Sequence, residues 1–478
     1  MKRVLLVNTN MERAPYPVPP LGLCMLATVL QETYNVRIYD GVFDEGSGLV
    51  SMVREFKPDF IGFSIRNIDD VVMDREIFYV KDIVQKFIEP VRFVTDVPII
   101  LGGSGFSIFP VDVMKMTGAD FGIVGEAEEL LPELLSRLCN GLTTDDMPNL
   151  VKYGGSQVQA GNKYSFSKPA TQRFPEIDKW VDFTPYKAKG VYSVQTKRGC
   201  SHGCIYCTYP LIEGRKFRTR SPSAIVDEIE QAHQRLGNVM FEFVDSTFND
   251  PRGHAESICR EIISRKIKVK LRTMGINPRH VSEELFELMQ RAGFVQIDAT
   301  PDSASPSVLH LLDKGFGLDH IERMAGMISK FNIPTMWFFL FGGPGETEGT
   351  FNETLDFIDK FVNPADLVYM NAGLRIYPGT PLYSMSVREG RFTHSDSVFQ
   401  PPAYYYSDKI TKGHLDHLIR KASRSRHNCL HALETAPSPE MISEALEMRK
   451  NHGLDEPMFR TLLRLRANWM AEGKLKTD

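Results

Sequence analysis

Short runs of aliphatic and β-branched residues alternate with amphipathic stretches along most of this chain. In the first 140 residues the apolar runs fall at 4–7, 36–39, 60–64, 98–101 and 121–124. Segments such as 21–32 and 126–137, with helical spacing of apolar positions, lie between them. Strands so separated and joined by crossover helices predict a parallel sheet covered on both faces. Ligands on such sheets bind beyond the carboxyl ends of the strands. Those ends read Asn8-Thr9-Asn10, Asp40-Gly41, Ser64-Ile65-Arg66, Gly102-Gly103-Ser104-Gly105 and Gly125-Glu126. The glycine run lets backbone come close to a bulky group, because no Cβ intervenes. Tight turns between strand and helix would use the same glycines. The strand–GxGxxG–helix pattern of a dinucleotide site is missing, and Glu126 and Glu128 argue against a phosphate there.

Residues 141–190 turn polar and rich in turn formers, which predicts a linker with a short hairpin lying across two domains. From Tyr192 the alternation restarts, with strands expected at 193–195, 239–244, 268–272, 295–299, 335–341 and 367–371. Ser221 caps the first intervening helix, with Pro222 at its first helical position. Residues 408–478 read as charged helical segments without a chemical constellation.

With 478 residues, 42% of them hydrophobic, the chain can bury two sizeable cores. Its net charge of −4 supplies no global basic field to recruit nucleic acid. The start, MKRVLLVNTN, runs straight into a strand without a signal-peptide core, and no stretch approaches a membrane span. Seven cysteines, three of them clustered, make no disulfide framework, so the expected compartment is the reducing cytoplasm. Cys24, Cys139, Cys259 and Cys429 read as small core residues.

The clustered three, Cys200, Cys204 and Cys207, stand in KRGCSHGCIYCTYP (197–210) with the spacing CxxxCxxC. Three thiolates so close repel one another unless a soft metal centre shares their charge. Structural zinc takes four protein ligands. His202 is a fourth on paper, but one short loop is hard pressed to set four donors at tetrahedral corners. Three cysteines around a four-iron cluster leave one iron open, which is a catalytic arrangement. Gly203 lets the loop fold back tightly.

This motif, with Tyr206 just before its last cysteine, resembles the radical S-adenosylmethionine superfamily. The resemblance implies a partial (β/α)6 barrel, with functional residues where the strands end. It also implies a 4Fe-4S cluster on Cys200, Cys204 and Cys207, whose open iron chelates S-adenosylmethionine and, once reduced, cleaves it to an adenosyl radical. Carried over position by position, it places Tyr206, Asp245, Asp302 and Lys314 around that cofactor. Asp302 stands where relatives hold a glutamate. The run FFLFGGPGETEGT, with Gly342, Gly343 and Glu346, matches a strand-five signature, and Glu346 and Thr347 read as helix-capping residues. The segment LRIYPGTPLYSMSVREG (374–390) and the PPAYYYS run (401–407) are similar to segments of cobalamin-associated members. Arg375 and Tyr377 are thereby expected to line a substrate cavity as catalytic residues.

PPLGLCMLATVL, the glycine run and VGEAE resemble the cobalamin-binding domain of these enzymes. The implied cradle comprises Asn10, Ser64, Gly102, Gly103, Ser104, Gly125 and Glu126. The Asp-x-His-x-x-Gly that ligates cobalt in mutases is absent, since the first histidine of the chain is His202. Relatives in the radical subgroup commonly lack it as well.

The expectation is an α/β protein of four parts. They are a Rossmann-like cobalamin-binding domain (1–140), a linker (141–190), the partial barrel (191–400) and a C-terminal helical region (401–478). The implied activity is methyl transfer to an unactivated carbon or phosphorus of a small molecule. Electrons would come from a low-potential donor such as flavodoxin or ferredoxin. Cyclisation or rearrangement with the same cofactors, and an iron–sulfur redox sensor, are the competing readings. RNA methylthiolation would need three further cysteines in the first domain, which holds only Cys24 and Cys139.

Overall fold

The computed structural model describes residues 1–72, 75, 77–154, 157–160, 175–434 and 437–474. The first sheet has seven strands: β1 (Arg3–Asn8), β2 (Asn35–Asp40), β3 (Phe60–Ser64), β4 (Ile99–Gly102), β5 (Phe121–Ile123), β6 (Leu150–Gly154) and β7 (Gln157–Ala160). They lie in the order β2-β1-β3-β4-β5-β6-β7. The first five are parallel, and β6 and β7 add antiparallel at the edge. Successive side chains of a strand face opposite ways. Leu5 and Val7 therefore join a core with Leu49, Val53 and Val113, while Val4 and Leu6 meet Ala27, Leu30, Leu131 and Leu134 on the other face. The hairpin expected within 141–190 is β6–β7; it extends the first sheet instead of lying across both domains. Residues 161–174 of that segment lie outside the described ones.

The second sheet is all parallel and open. It contains β8 (Tyr192–Val194), β11 (Met240–Phe243), β12 (Lys270–Ile276), β13 (Phe294–Asp302), β14 (Thr335–Phe341), β15 (Leu367–Ala372) and β18 (Cys429–His431). Its order, β18-β15-β14-β13-β12-β11-β8, leaves the two ends unpaired with each other. Two small ribbons stand beside it: β9 (Lys197–Arg198) with β10 (Arg218–Thr219), and β16 (Leu374–Arg375) with β17 (Tyr404–Tyr405). Six strands were expected; β18 is the seventh and comes from the region read as helical. Only three residues long, it is too short for alternation to register in the sequence. Cys24, Cys259 and Cys429 are buried as anticipated, whereas Cys139 is exposed at the end of its helix. Among the described residues no helix is long and apolar enough to cross a membrane.

The C-terminal helix Met458–Ala471 is fastened to the barrel by Arg460, whose Nη2 donates to Asp366 Oδ1 at 2.6 Å. Asp366 also accepts from the Thr335 backbone at the start of β14. Its carboxylate is 1% exposed. Arg460→Met strands that carboxylate, and removing one partner of a buried pair costs about 3–5 kcal/mol. Denaturant unfolding of the two proteins is expected to differ by that amount; a loss under about 1 kcal/mol, the worth of a surface pair, would contradict the burial.

Candidate functional site

The carboxyl end of β8 leads through Thr196 into the β9–β10 ribbon, which carries the three cysteines on the loop between its strands. Asp245, just past β11, fixes the base of that loop. Its oxygens accept from Thr196 N and Oγ1 at 2.8 and 2.6 Å, and from Lys197 N and Nζ at 3.2 and 3.1 Å. Both side chains are fully covered. Asp245, expected beside S-adenosylmethionine, thus holds the base of the cysteine loop through Thr196 and Lys197. Gly199, at φ 86°, is needed because a Cβ would strike the Lys216 carbonyl. A Cβ on Gly203 would displace the Asp313 carboxylate packed against it.

Cys200 is buried, and Cys204 and Cys207 are half-buried; all three are free thiols. Burial pushes the Cys207 thiol up to about 12 and raises Cys200 and Cys204 as well. Without a cation the loop therefore holds thiols at neutral pH, and a metal centre would deprotonate them on binding. Among the described residues no three His, Cys, Asp or Glu side chains converge on a single ion. Thiolates that each bind a different iron stand further apart than ligands sharing one ion.

Tyr206, Asp302 and Lys314 meet directly behind this loop. Lys314 Nζ donates to Asp302 Oδ2 at 2.6 Å, to Tyr206 Oη at 3.2 Å and to the Thr300 carbonyl at 3.4 Å. The Tyr206 hydroxyl donates to the same carboxylate oxygen. Burial disfavours the Lys314 ammonium, but Asp302 outweighs it and raises the group well above its ordinary value. Burial, then Asp302, raises the Tyr206 phenol. Asp302 ends β13 at φ 67°, a left-handed conformation that aspartate tolerates better than most residues. All three were expected on S-adenosylmethionine; the structure turns their polar ends toward one another.

The GGPGE turn after β14 is also self-contained. Gly342 and Gly345 have φ of 89° and 80°, and a Cβ on Gly343 would crowd Leu312 at 3.2 Å. Glu346 lies inside the turn, taking the Gly342 amide at 3.2 Å and the Thr350 hydroxyl at 2.6 Å. Thr347 caps the helix Glu348–Phe361, as its sequence position suggested.

The carboxyl ends of the first sheet face this assembly. Beyond β5, Glu126 pairs with Arg198 at 3.2 Å and accepts two bonds from Arg218, while Glu128 pairs with Arg198. Burial works to raise the Glu128 carboxyl, yet Arg198 brings it below its ordinary value. The helix predicted from residue 126 begins only at Leu130. Past β2, Asp40 accepts from Tyr186 at 2.6 Å. Past β1, Tyr16 reaches into the barrel to donate to Glu242, and Arg272 lies over its ring at 4.7 Å while pairing with Glu242 at 2.9 Å.

Past β3, Asp69 takes Arg375 Nε at 2.9 Å. Arg375 is 5% exposed; its Nη1 donates to the carbonyls of Ile376, Val398 and Ala403. Tyr377 packs against Arg375 and Phe109. Both residues, expected to line a substrate cavity, are parts of the domain interface. Asn10 is likewise used internally, bonded to Glu12 and Asn67.

Between the two halves lies a cavity of about 230 Å³. Ser64, Gly102, Gly103, Ser104, Gly125 and Glu126 line it from the first sheet, and Gln195, Arg198, Ile212 and Glu213 close it from the cysteine-loop side. Six of the seven residues expected to cradle cobalamin are therefore together; Asn10 is the exception.

A sequence profile of the radical SAM superfamily matches residues 194–358, and one of the B12 binding domain matches residues 7–135. The chain is a radical SAM enzyme with a B12-binding domain. A tryptophan 2-C-methyltransferase of Streptomyces laurentii is 26% identical to it over 441 residues, 78% of this chain and 73% of that one. An uncharacterised methyltransferase of Pyrococcus horikoshii is 25% identical over 422 residues, covering 84% and 86%. Two solved structures share the fold of the enzyme. The radical S-adenosylmethionine methyltransferase TsrM from Kitasatospora setae, with cobalamin and a 4Fe-4S cluster bound, superposes with a TM-score of 0.80 at 22% identity over 99% of both chains. The cobalamin-dependent radical enzyme OxsB gives 0.73 at 18% identity, over 99% of this chain and 71% of its own.

The residues present fit both implied cofactors. The enzyme's three cysteines are free, unpaired in disulfides and backed by no fourth cysteine nearby. On the other wall, Gly22 sits inside the helix Leu21–Leu30, where a Cβ would meet nothing within 4 Å except the cavity it lines. A larger side chain there would extend into that open space. That residue, and the Glu–Arg bridge, went unread in the sequence.

Burial pushes the Glu346 carboxyl up to about 7 from its ordinary 4.5. A raised carboxyl contributes stability that is fully present below about 4.5 and is lost as pH rises through about 7. At about 1.4 kcal/mol per unit, up to about 3 kcal/mol is at stake. Glu346→Gln keeps an acceptor for Gly342 and a donor for Thr350. Unfolding at pH 5 and pH 8 is expected to show a smaller stability loss in the variant than in the wild type. Equal losses would mean that Glu346 is ionised freely in the folded state.

Proposed function

We propose that the enzyme transfers a methyl group to an unactivated carbon or phosphorus of a small organic molecule in the cytoplasm, using electrons from a low-potential flavodoxin or ferredoxin. The observation that carries this reading is the single cavity walled by both domains. Cys200, Cys204 and Cys207 would hold the cluster, with S-adenosylmethionine beside it. Gly22, Ser64, Gly102, Gly103, Ser104 and Gly125 would cradle cobalamin. When bound, these groups supply a transferable methyl and the one-electron activation of an inert bond.

The chain's own contribution is placement and exclusion of water. Asp245 and Lys197 fix the cysteine loop from below, and the Tyr206–Asp302–Lys314 group fixes it from behind. The Glu126–Arg198–Arg218 bridge sets the separation of the two walls. No imidazole from residues 1–201 can reach cobalt from below, because that stretch contains no histidine. The relative named as a tryptophan methyltransferase and the TsrM fold favour methylation over cyclisation.

Gly22→Leu tests the cradle. The substitution improves helix propensity, so the fold is expected to hold. The added side chain fills the cavity, and cobalamin affinity should fall by roughly tenfold or more, equivalent to at least about 1.4 kcal/mol. Iron content should remain at the wild-type value. Unchanged cobalamin affinity would move the cofactor out of this cavity. For the reaction itself, mass spectrometry after turnover with methyl-deuterated S-adenosylmethionine should show a deuterated methyl group on the product. A product without added mass would favour cyclisation or rearrangement.

A further inference from the structure

The segments that meet at the cysteine loop carry exposed basic residues that none of the preceding roles uses. The rings of His202, within the loop, and His280, after β12, both bond the Asp250 carboxylate, His202 Nε2 at 2.8 Å. Asn277 adds a bond to Asp250, also at 2.8 Å. This node ties together three loops at the carboxyl ends of β8, β11 and β12. The Phe217 ring lies 6.1 Å from His202, which brings the return limb of the β9–β10 ribbon to the same place. Each of these segments carries an exposed cation beside the node: Arg215 and Lys216, Arg252, and Arg279. None of the four forms an ion pair among the described residues.

Several of the neighbouring carboxylates are buried or already paired. Asp250 is 2% exposed, and Glu283 and Glu284 are taken by Lys330 and Arg260. Asp313 is exposed beside Gly203, and Glu213 takes the Gly199 amide at 3.0 Å on the cavity side of the loop. The chain as a whole has a net charge of −4, so this rim runs against the overall sign. Opposite charges across an interface steer encounter and set its orientation more than they add affinity.

We propose that the rim formed by Arg215, Lys216, Arg252 and Arg279 is the docking surface for an acidic, low-potential electron-transfer protein. The proposal rests on the assignment of a cluster to Cys200, Cys204 and Cys207. In the step served, the donor's reduced flavin or iron–sulfur centre would give one electron to a cluster held by Cys200, Cys204 and Cys207; no atom is transferred. The cavity side of the loop stays free for the small molecules.

The test uses full-length enzyme with its cluster, and a bacterial flavodoxin hydroquinone as the probe. Lys216→Glu/Arg252→Glu is compared with Arg54→Glu/Lys450→Glu, a control of equal charge change at exposed positions elsewhere. Binding is titrated at low and at physiological salt, and cluster reduction is followed optically with flavodoxin and with titanium(III) citrate. The rim variant should bind flavodoxin roughly tenfold or more weakly at low salt and lose most of the salt dependence. Its reduction by flavodoxin should slow while reduction by titanium(III) stays at the wild-type rate. Iron present with unchanged flavodoxin affinity, or equal weakening in the control, would overturn the docking surface alone. Absence of iron from the reconstituted wild type would overturn the cluster assignment and the proposal with it.

Discussion

The arrangement depends on an ionic bridge between domains. Glu126 and Glu128, at the end of the first sheet, meet Arg198 and Arg218 on the ribbon that carries the cysteines. These charges are largely withdrawn from water, and a buried pair is tolerated only where geometry and further hydrogen bonds offset desolvation. Here both arginines have such bonds: Arg198 donates to Gln195 Oε1 at 2.9 Å, and Arg218 to the Glu213 carbonyl at 2.8 Å. Asp69 adds a second ion pair, to Arg375, while Asp40 takes the Tyr186 hydroxyl and Tyr16 donates to Glu242. Two sheets that each present strand ends are thereby fixed with those ends facing.

A consequence is that the strongly polar groups near the cysteine loop are committed to one another. Asp245 takes Lys197, Asp302 takes Lys314 and Tyr206, and Glu346 closes its own turn. Sites work best when the groups that hold them are locked by their own packing and hydrogen bonds. The cavity between them is walled largely by Leu, Ile and Phe side chains and by glycine backbone. Such a space suits a bulky cofactor and an uncharged reacting centre from which water must be kept.

Much of this was legible in the sequence because it is written in local patterns. Alternating apolar runs gave the parallel strands, and CxxxCxxC marked the one loop that could hold a cluster. Glycines at 102, 103 and 125 pointed to the cavity wall. Partnerships between distant residues leave no such trace. Nothing adjacent to Asp245 says that Thr196 and Lys197 will saturate it, and nothing near Arg375 points to Asp69, 306 residues away. Residues read as cofactor contacts, such as Asp245 and Asp302, make hydrogen bonds to neighbours that only folding brings near. The strand Cys429–His431 escaped because three residues carry no periodicity.

Two cofactors held on opposite walls of one cavity, at a separation set by the Glu–Arg bridge, would sense each other magnetically. Electron paramagnetic resonance of the enzyme loaded with cob(II)alamin and a reduced cluster tests it most directly. Both centres are then paramagnetic, and neighbours across a single cavity interact. The account predicts spin–spin splitting or broadening of the cob(II)alamin signal that disappears when the cluster is oxidised to its diamagnetic state. A cob(II)alamin spectrum identical in the two cluster states would contradict it.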